Sequence, residues 1–236
     1  QHMIEEPMDD ESSNPIVTRR LYQLVADRIR ILIQRGDYPV GSRLPPERDL
    51  AQQLGVSRPS LREALIALEI EGSVEIRMGS GVYVCKPTLR HTGIALGESP
   101  AELMQARAAL EGAVVALACA NVTPAGLARA RDALNGMRED IELGLDVLDH
   151  DRQFHLCIAE MSGNSVLVNL VGILFDQRRS PLASHMRHRL EGRPTWHAAV
   201  SEHEQILRCL AQRDPLAAEA AMRAHIRAAS ERWVIA

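Results

Sequence analysis

Aromatic side chains are scarce in this 236-residue chain, with two Phe, two Trp and three Tyr. A core without them must be aliphatic. Ala and Leu are abundant, which favours helix over sheet because these side chains lose little freedom in a helix. Cysteine is sparse as well. Cys85, Cys119, Cys157 and Cys209 stand far apart with no CxxC pair, a spacing that argues against a disulfide framework and for a reduced compartment. No apolar run approaches the roughly 20 residues that cross a bilayer. No basic-then-apolar leader is visible either, so the expectation is a cytoplasmic protein with no membrane partner. Net positive charge is missing too: the balance is −4, which by itself argues against nucleic acid.

The distribution of charge reverses that last inference. Residues 1–15 carry five acids and no Lys or Arg, whereas residues 16–87 carry eleven Lys/Arg against eight acids. A basic excess confined to one segment is the electrostatic footprint expected of a DNA-binding unit. The chain divides accordingly. Residues 1–15 read as a disordered tail that opens on what looks like a cloning remnant, Gln1-His2-Met3. Residues 16–87 form the DNA-binding unit, 88–100 a linker rich in Pro and Gly, and 101–236 a helical domain of six or seven helices. The fold class is mainly α.

Within the basic segment, Leu21, Leu24, Val25, Ile29 and Leu32 recur at helical spacing. A short helix follows Leu44-Pro45-Pro46 and ends near Leu54, and Gly55 makes a turn. Ser57 then caps a third helix that runs to about Glu71. Two short β-type runs, Val74–Arg77 and Val82–Cys85, flank Met78-Gly79-Ser80-Gly81 as a hairpin. This order predicts a winged helix-turn-helix, with the N-terminal end of the third helix at base edges. Arg58 and Arg62 lie four apart on one helical face, and a guanidinium matches the O6 and N7 edge of guanine. By spacing alone, the same pair also fits a solvated helix face.

The residues say more than the spacing. Leu44-Pro45-Pro46-Glu47-Arg48-Asp49-Leu50-Ala51, then Leu54-Gly55-Val56-Ser57-Arg58-Pro59-Ser60-Leu61-Arg62-Glu63-Ala64-Leu65, resembles the GntR family of bacterial regulators. Gly79-Ser80-Gly81-Val82-Tyr83-Val84 continues the match through the wing. The resemblance implies DNA contacts at Arg48, Ser57, Arg58, Pro59, Ser60, Arg62 and Gly79. Two departures stand out: Pro59 has no N–H to offer, and Met78 occupies another position that touches DNA in the family.

Further on, Asp151 and His155 are four apart, and His203 and His225 lie on later helices. Three imidazoles and a carboxylate could surround a divalent transition ion; an Asp–His pair at this spacing also fits an ordinary helix-surface hydrogen bond. Asp151-Arg152-Gln153-Phe154-His155, then Gly163-Asn164, His203-Glu204-Gln205-Ile206 and Ala221-Met222-Arg223-Ala224-His225, resembles the FCD ligand-binding domain of the FadR subgroup of GntR regulators. That resemblance implies a metal at Asp151, His155, His203 and His225: zinc first, nickel or manganese as alternatives. His150 is expected to lie outside the set. It also implies that Arg107 holds an acid ligand's carboxylate, where by spacing alone Arg107 and Glu111 form an intrahelical ion pair. Leu103–Arg107 and Gln177-Arg178-Arg179-Ser180-Pro181-Leu182 resemble hexuronate regulators, which adds Arg178 to the effector site; Ala183 stands where those proteins carry an aromatic. His188 and Trp196 are weaker pocket candidates.

These readings converge on a non-enzymatic, homodimeric repressor that binds an inverted-repeat operator and responds to a small carboxylate. Two alternatives stay open. One is a metal-dependent hydrolase, for which Glu204 is the nearest acid in sequence but on another helix face. The other is a DNA-binding protein with a purely structural metal.

Overall fold

The computed structural model describes residues 20–86 and 97–233. The tail reading and most of the linker lie outside those residues. Among the described residues the chain forms ten α-helices and one two-stranded sheet.

The N-terminal unit comprises α1 (Leu21–Arg35), α2 (Glu47–Leu54), α3 (Arg58–Ile70), β1 (Val74–Arg77) and β2 (Gly81–Val84). Tyr22, Val25, Ala26 and Ile29 of α1 bury one face against α3. The turn between α2 and α3 needs a left-handed residue, supplied by Gly55 at φ 67°. Ser57 caps α3 by accepting from the Ser60 N–H at 3.2 Å. The hairpin pairs Val74 with Val84 and Arg77 with Gly81. A third rung went unread in the sequence: Gly41–Leu44 lies against β2, with the Leu44 N–H donating to the Val82 carbonyl at 2.8 Å. Four residues hemmed in by Pro39, Gly41 and Pro45 carry no alternation to reveal it.

Seven α-helices follow: α4 (Pro100–Ala118), α5 (Pro124–Leu143), α6 (Leu148–Met161), α7 (Ser165–Asp176), α8 (Pro181–Leu190), α9 (Arg193–Ala211) and α10 (Pro215–Arg232). Their starts repeat one device. Ser99, Thr123, Ser180 and Asp214 each cap a helix whose first residue is proline, because a first-turn residue needs no N–H. One expectation needs correcting. Together with the 3-10 turn after it, α4 (Pro100–Asn121) is long and apolar enough by composition to cross a bilayer. The charges of Arg107 and Glu111 break the run in sequence. In the fold those two pair at 2.7 Å, and α4 packs against α10, α6 and α7 as a core helix.

The recognition helix α3 is also tied to the C-terminal domain. Glu63, only 1% exposed, accepts from the Ser99 hydroxyl at 2.9 Å and the Ala101 N–H at 2.8 Å. A carboxylate of α3 thus completes the N-terminus of α4. Glu69 of α3 meets His185 at 2.9 Å and Arg189 of α8.

Candidate functional site

On the DNA side, the side chains fall into two groups. Arg48, whose side chain is 84% exposed, stands clear with Ser57, Arg58 and Gly79. Pro59 and Ser60 are half-buried, and the Ser60 hydroxyl lies 2.8 Å from that of Ser57. Met78 projects from the wing, and Gly79 holds the hairpin tip at φ 68°. Arg62 points elsewhere. Its side chain is only 12% exposed; it pairs with Glu47 of α2 at 2.8 Å and donates to the Trp233 carbonyl at 2.9 Å. Sequence spacing put Arg58 and Arg62 on one face. In the fold Arg58 is exposed, whereas the Arg62 guanidinium is held by Glu47 of α2 and the Trp233 carbonyl.

In the C-terminal domain, α6, α9 and α10 bring Asp151, His155, His203 and His225 together, all buried, with one ligand atom from each within 4.8 Å of the others. Nε2 of His155 lies 3.3 Å from Nε2 of His203. Asp151 Oδ1 sits 3.2 Å from His203 Nε2 and 3.5 Å from His155 Nε2, yet neither approach is aligned as a hydrogen bond, so this buried oxygen has none. Donors about 2.0–2.1 Å from a tetrahedral ion stand about 3.3–3.4 Å apart. The three edges of this triangle are close to that spacing, so the donor set could hold a metal ion.

The surrounding carboxylates set the ring orientations. His155 Nδ1 faces Glu111, and His225 Nδ1 lies 2.8 Å from Glu202. With Nδ1–H donated to Glu202, the other nitrogen of the neutral His225 ring presents its lone pair, whereas at His155 burial is overcome by Glu111 and Asp151, which raise the imidazole above the ordinary histidine value. His150 stays outside, with Nδ1 2.6 Å from Asp140. Burial alone would raise the Asp151 carboxyl, but the Arg178 guanidinium and the neighbouring imidazoles hold it well below the usual range. Burial likewise opposes ionisation of Glu111, and Arg107 and His155 overcome it, lowering that carboxyl to about 2. His225 moves the other way. Burial and then its imidazole neighbours push it well below the ordinary histidine value, so it is neutral as a ligand must be.

Beside the cluster lies a narrow, partly open pocket of about 10 Å³, lined by Arg107, Arg178, Glu191, Thr195, Trp196 and Arg232 with Asp151 and His225. Arg107 is 1% exposed, and its Nη2 has no hydrogen-bond partner. Its guanidinium lies 4.7 Å from the Phe175 ring. Arg178 donates to Asp151 Oδ2 at 2.5 Å, while its Nε is unpartnered. The intrahelical pair read from sequence is present in Arg107: Nε donates to Glu111, and Nη2 is left without a partner. Glu204 lies on the surface against Arg138, so it offers no base to the cluster.

The family model described as bacterial regulatory proteins, gntR family, matches residues 21–84, and the FCD domain model matches residues 102–228. The chain belongs to the GntR family. This GntR regulator is 37% identical over 229 residues to the Uxu operon transcriptional regulator of Escherichia coli, covering 91% of this chain and 87% of that protein. It is 35% identical to the Exu regulon transcriptional regulator of E. coli (88% and 82%) and 31% identical to the Uxu operon regulator of Haemophilus influenzae (89% and 80%). Among solved structures, Lar of Listeria monocytogenes matches in fold with a TM-score of 0.50 at 20% identity, covering 91% and 97%. The regulator is thus a DNA-binding transcription factor with an FCD domain, and not an enzyme.

Sequence reasoning missed three residues at this site and half-read a fourth. Glu202 orients His225, but nothing in its spacing to a residue 23 positions later announces that. Glu191 and Trp233 lie at the ends of helices, where no periodicity marks an inward-facing residue. Glu111 was read only as a partner for Arg107, and its second partner comes from α6.

Proposed function

We propose that this regulator is a cytoplasmic, homodimeric repressor whose hold on an inverted-repeat operator is controlled by a small carboxylate, a hexuronate first. The acid binds in the cavity of Arg107 and Arg178, beside a divalent transition metal (zinc, with nickel or manganese as alternatives) held by Asp151, His155, His203 and His225. The observation that carries this reading is the pairing of two buried, unsatisfied groups: the Asp151 oxygen beside the His155 and His203 rings, and Nη2 of Arg107, a residue that lines the adjacent pocket. Buried polar atoms without partners are uncommon in folded proteins, and a bound ion or water is one way to satisfy them. The metal would supply a Lewis-acidic anchor for one ligand oxygen. Arg107 suits a carboxylate because its free N–H donors are pre-oriented by the bond to Glu111. The hexuronate assignment is supported by the resemblance of residues 103–107 and 177–182 to hexuronate regulators, with Uxu and Exu regulators among the relatives.

DNA binding falls to Arg48, Ser57, Arg58, Pro59, Ser60, Arg62 and Gly79, with two recognition helices of a dimer in successive major grooves. Repression is relieved by a population shift. An acid that favours one placement of α4 and α8 changes the placement of α3 through Glu63, Glu69 and Arg62. The test is elemental analysis and operator gel shifts on purified protein. His203→Ala and His225→Ala should lose the metal and the response to uronates while still binding operator. Full metal retention would overturn the centre. A metal-loaded wild type that ignores every acid would favour a structural ion.

A further inference from the structure

Glu191 follows the last residue of α8, where two cavities meet. One is the narrow pocket beside Asp151, with room of about 10 Å³ in this structure. The other is an open groove of about 360 Å³ walled by Val147, Arg187, His188 and Arg193. Glu191 and Trp196 line both. The Glu191 carboxylate is half satisfied: Oε1 accepts from the Trp233 indole at 2.7 Å, while Oε2 has neither solvent nor a hydrogen-bond donor. A buried acceptor left this way costs free energy until a donor reaches it. Its neighbours in the narrow pocket are chiefly cationic donors: Arg107, Arg178 and Arg232. A ligand carboxylate satisfies those guanidiniums but is repelled by Glu191. A ligand hydroxyl does the reverse.

We propose that Glu191 is the specificity-determining residue of the effector site: it accepts a hydroxyl of a polyhydroxy monocarboxylate whose acid group lies at Arg107 and Arg178. The inference rests on the effector reading above and narrows it. Acids without a distal hydroxyl leave Oε2 orphaned, and dicarboxylates place like charge against it. A site built around a buried acceptor discriminates strongly against ligands that cannot donate to it.

Calorimetric titration of the full-length, zinc-loaded protein tests this with four probes: D-glucuronate, D-galacturonate, butyrate and glutarate. Wild type should bind at least one uronate about tenfold or more tighter than butyrate or glutarate. Glu191→Gln should weaken that uronate about tenfold and tighten glutarate, because the amide keeps the bond from Trp233 while removing the charge. Equal affinity of wild type for uronates and glutarate overturns the proposal, and needs no variant to be folded. Unchanged selectivity in a folded Glu191→Gln overturns it as well. Failure of the metal-loaded wild type to bind all four acids is a different result, since it refutes the effector reading itself.

Discussion

Replacing Glu63 by glutamine removes a charge from the contact between the recognition helix and the C-terminal domain while keeping its shape. In the wild type both hydrogen bonds reach Oε1, from the Ser99 hydroxyl and the Ala101 N–H. A glutamine oxygen can accept both. Burial raises the Glu63 carboxyl from 4.5 to about 7, against the opposing pull of those two donors. At roughly 1.4 kcal/mol for each tenfold in acidity, the buried charge costs about 3 kcal/mol once it forms. The sign follows from where the proton sits. The unfolded chain releases it around pH 4.5 and the folded chain holds it to about pH 7, so folding is favoured at low pH and loses that contribution as pH rises through 7. Glu63→Gln cannot ionise. Its stability relative to wild type should therefore grow by about 2.5 kcal/mol between pH 5 and pH 8.5. Urea unfolding followed by circular dichroism, on both proteins at equal metal load, measures this; titrations elsewhere in the chain cancel in the difference. A difference that is flat with pH would refute the reasoning. So would a variant less stable than wild type at pH 8.5, which would mean that the N-terminus of α4 holds Glu63 charged.

Other expectations are more direct. Arg58→Ala should weaken operator binding about 10- to 100-fold and relax base preference in a gel shift; unchanged affinity would remove Arg58 from the interface. Arg48→Ala should weaken specific and random DNA alike and lower the salt dependence by about one ion. Glu202→Ala should reduce metal affinity about 10- to 100-fold in a chelator competition, because His225 loses the acceptor that sets its tautomer. Ser57→Ala should cost about 1 kcal/mol of stability by uncapping α3.

Much of this molecule was legible in its sequence because its signals are local. Gly55 and Ser57 fix the turn and cap between α2 and α3 in three residues, and the proline-led starts of α5 and α10 are written as Thr123-Pro124 and Asp214-Pro215. The four cluster residues were legible through resemblance, since spacing alone could not separate Asp151–His155 from a surface pair. What could not be read was long-range. The Gly41–Leu44 rung depends on β2, some forty residues away. The withdrawal of Arg62 toward Trp233 spans 171 positions, and the capping of α4 by Glu63 spans 38. A sequence lists donors and acceptors but does not state which ones meet across domains.

The placement of Trp233 has one more consequence. Its indole touches Glu191 on the cavity side, and its carbonyl receives Arg62 of the recognition helix. The chain has one other tryptophan, Trp196, and it lines both cavities at the same glutamate. Indole fluorescence responds to nearby charge and water, so the whole tryptophan emission of this protein reports on a single junction. An acid entering from one side and an operator drawing away Arg62 from the other would each register there, with no label attached.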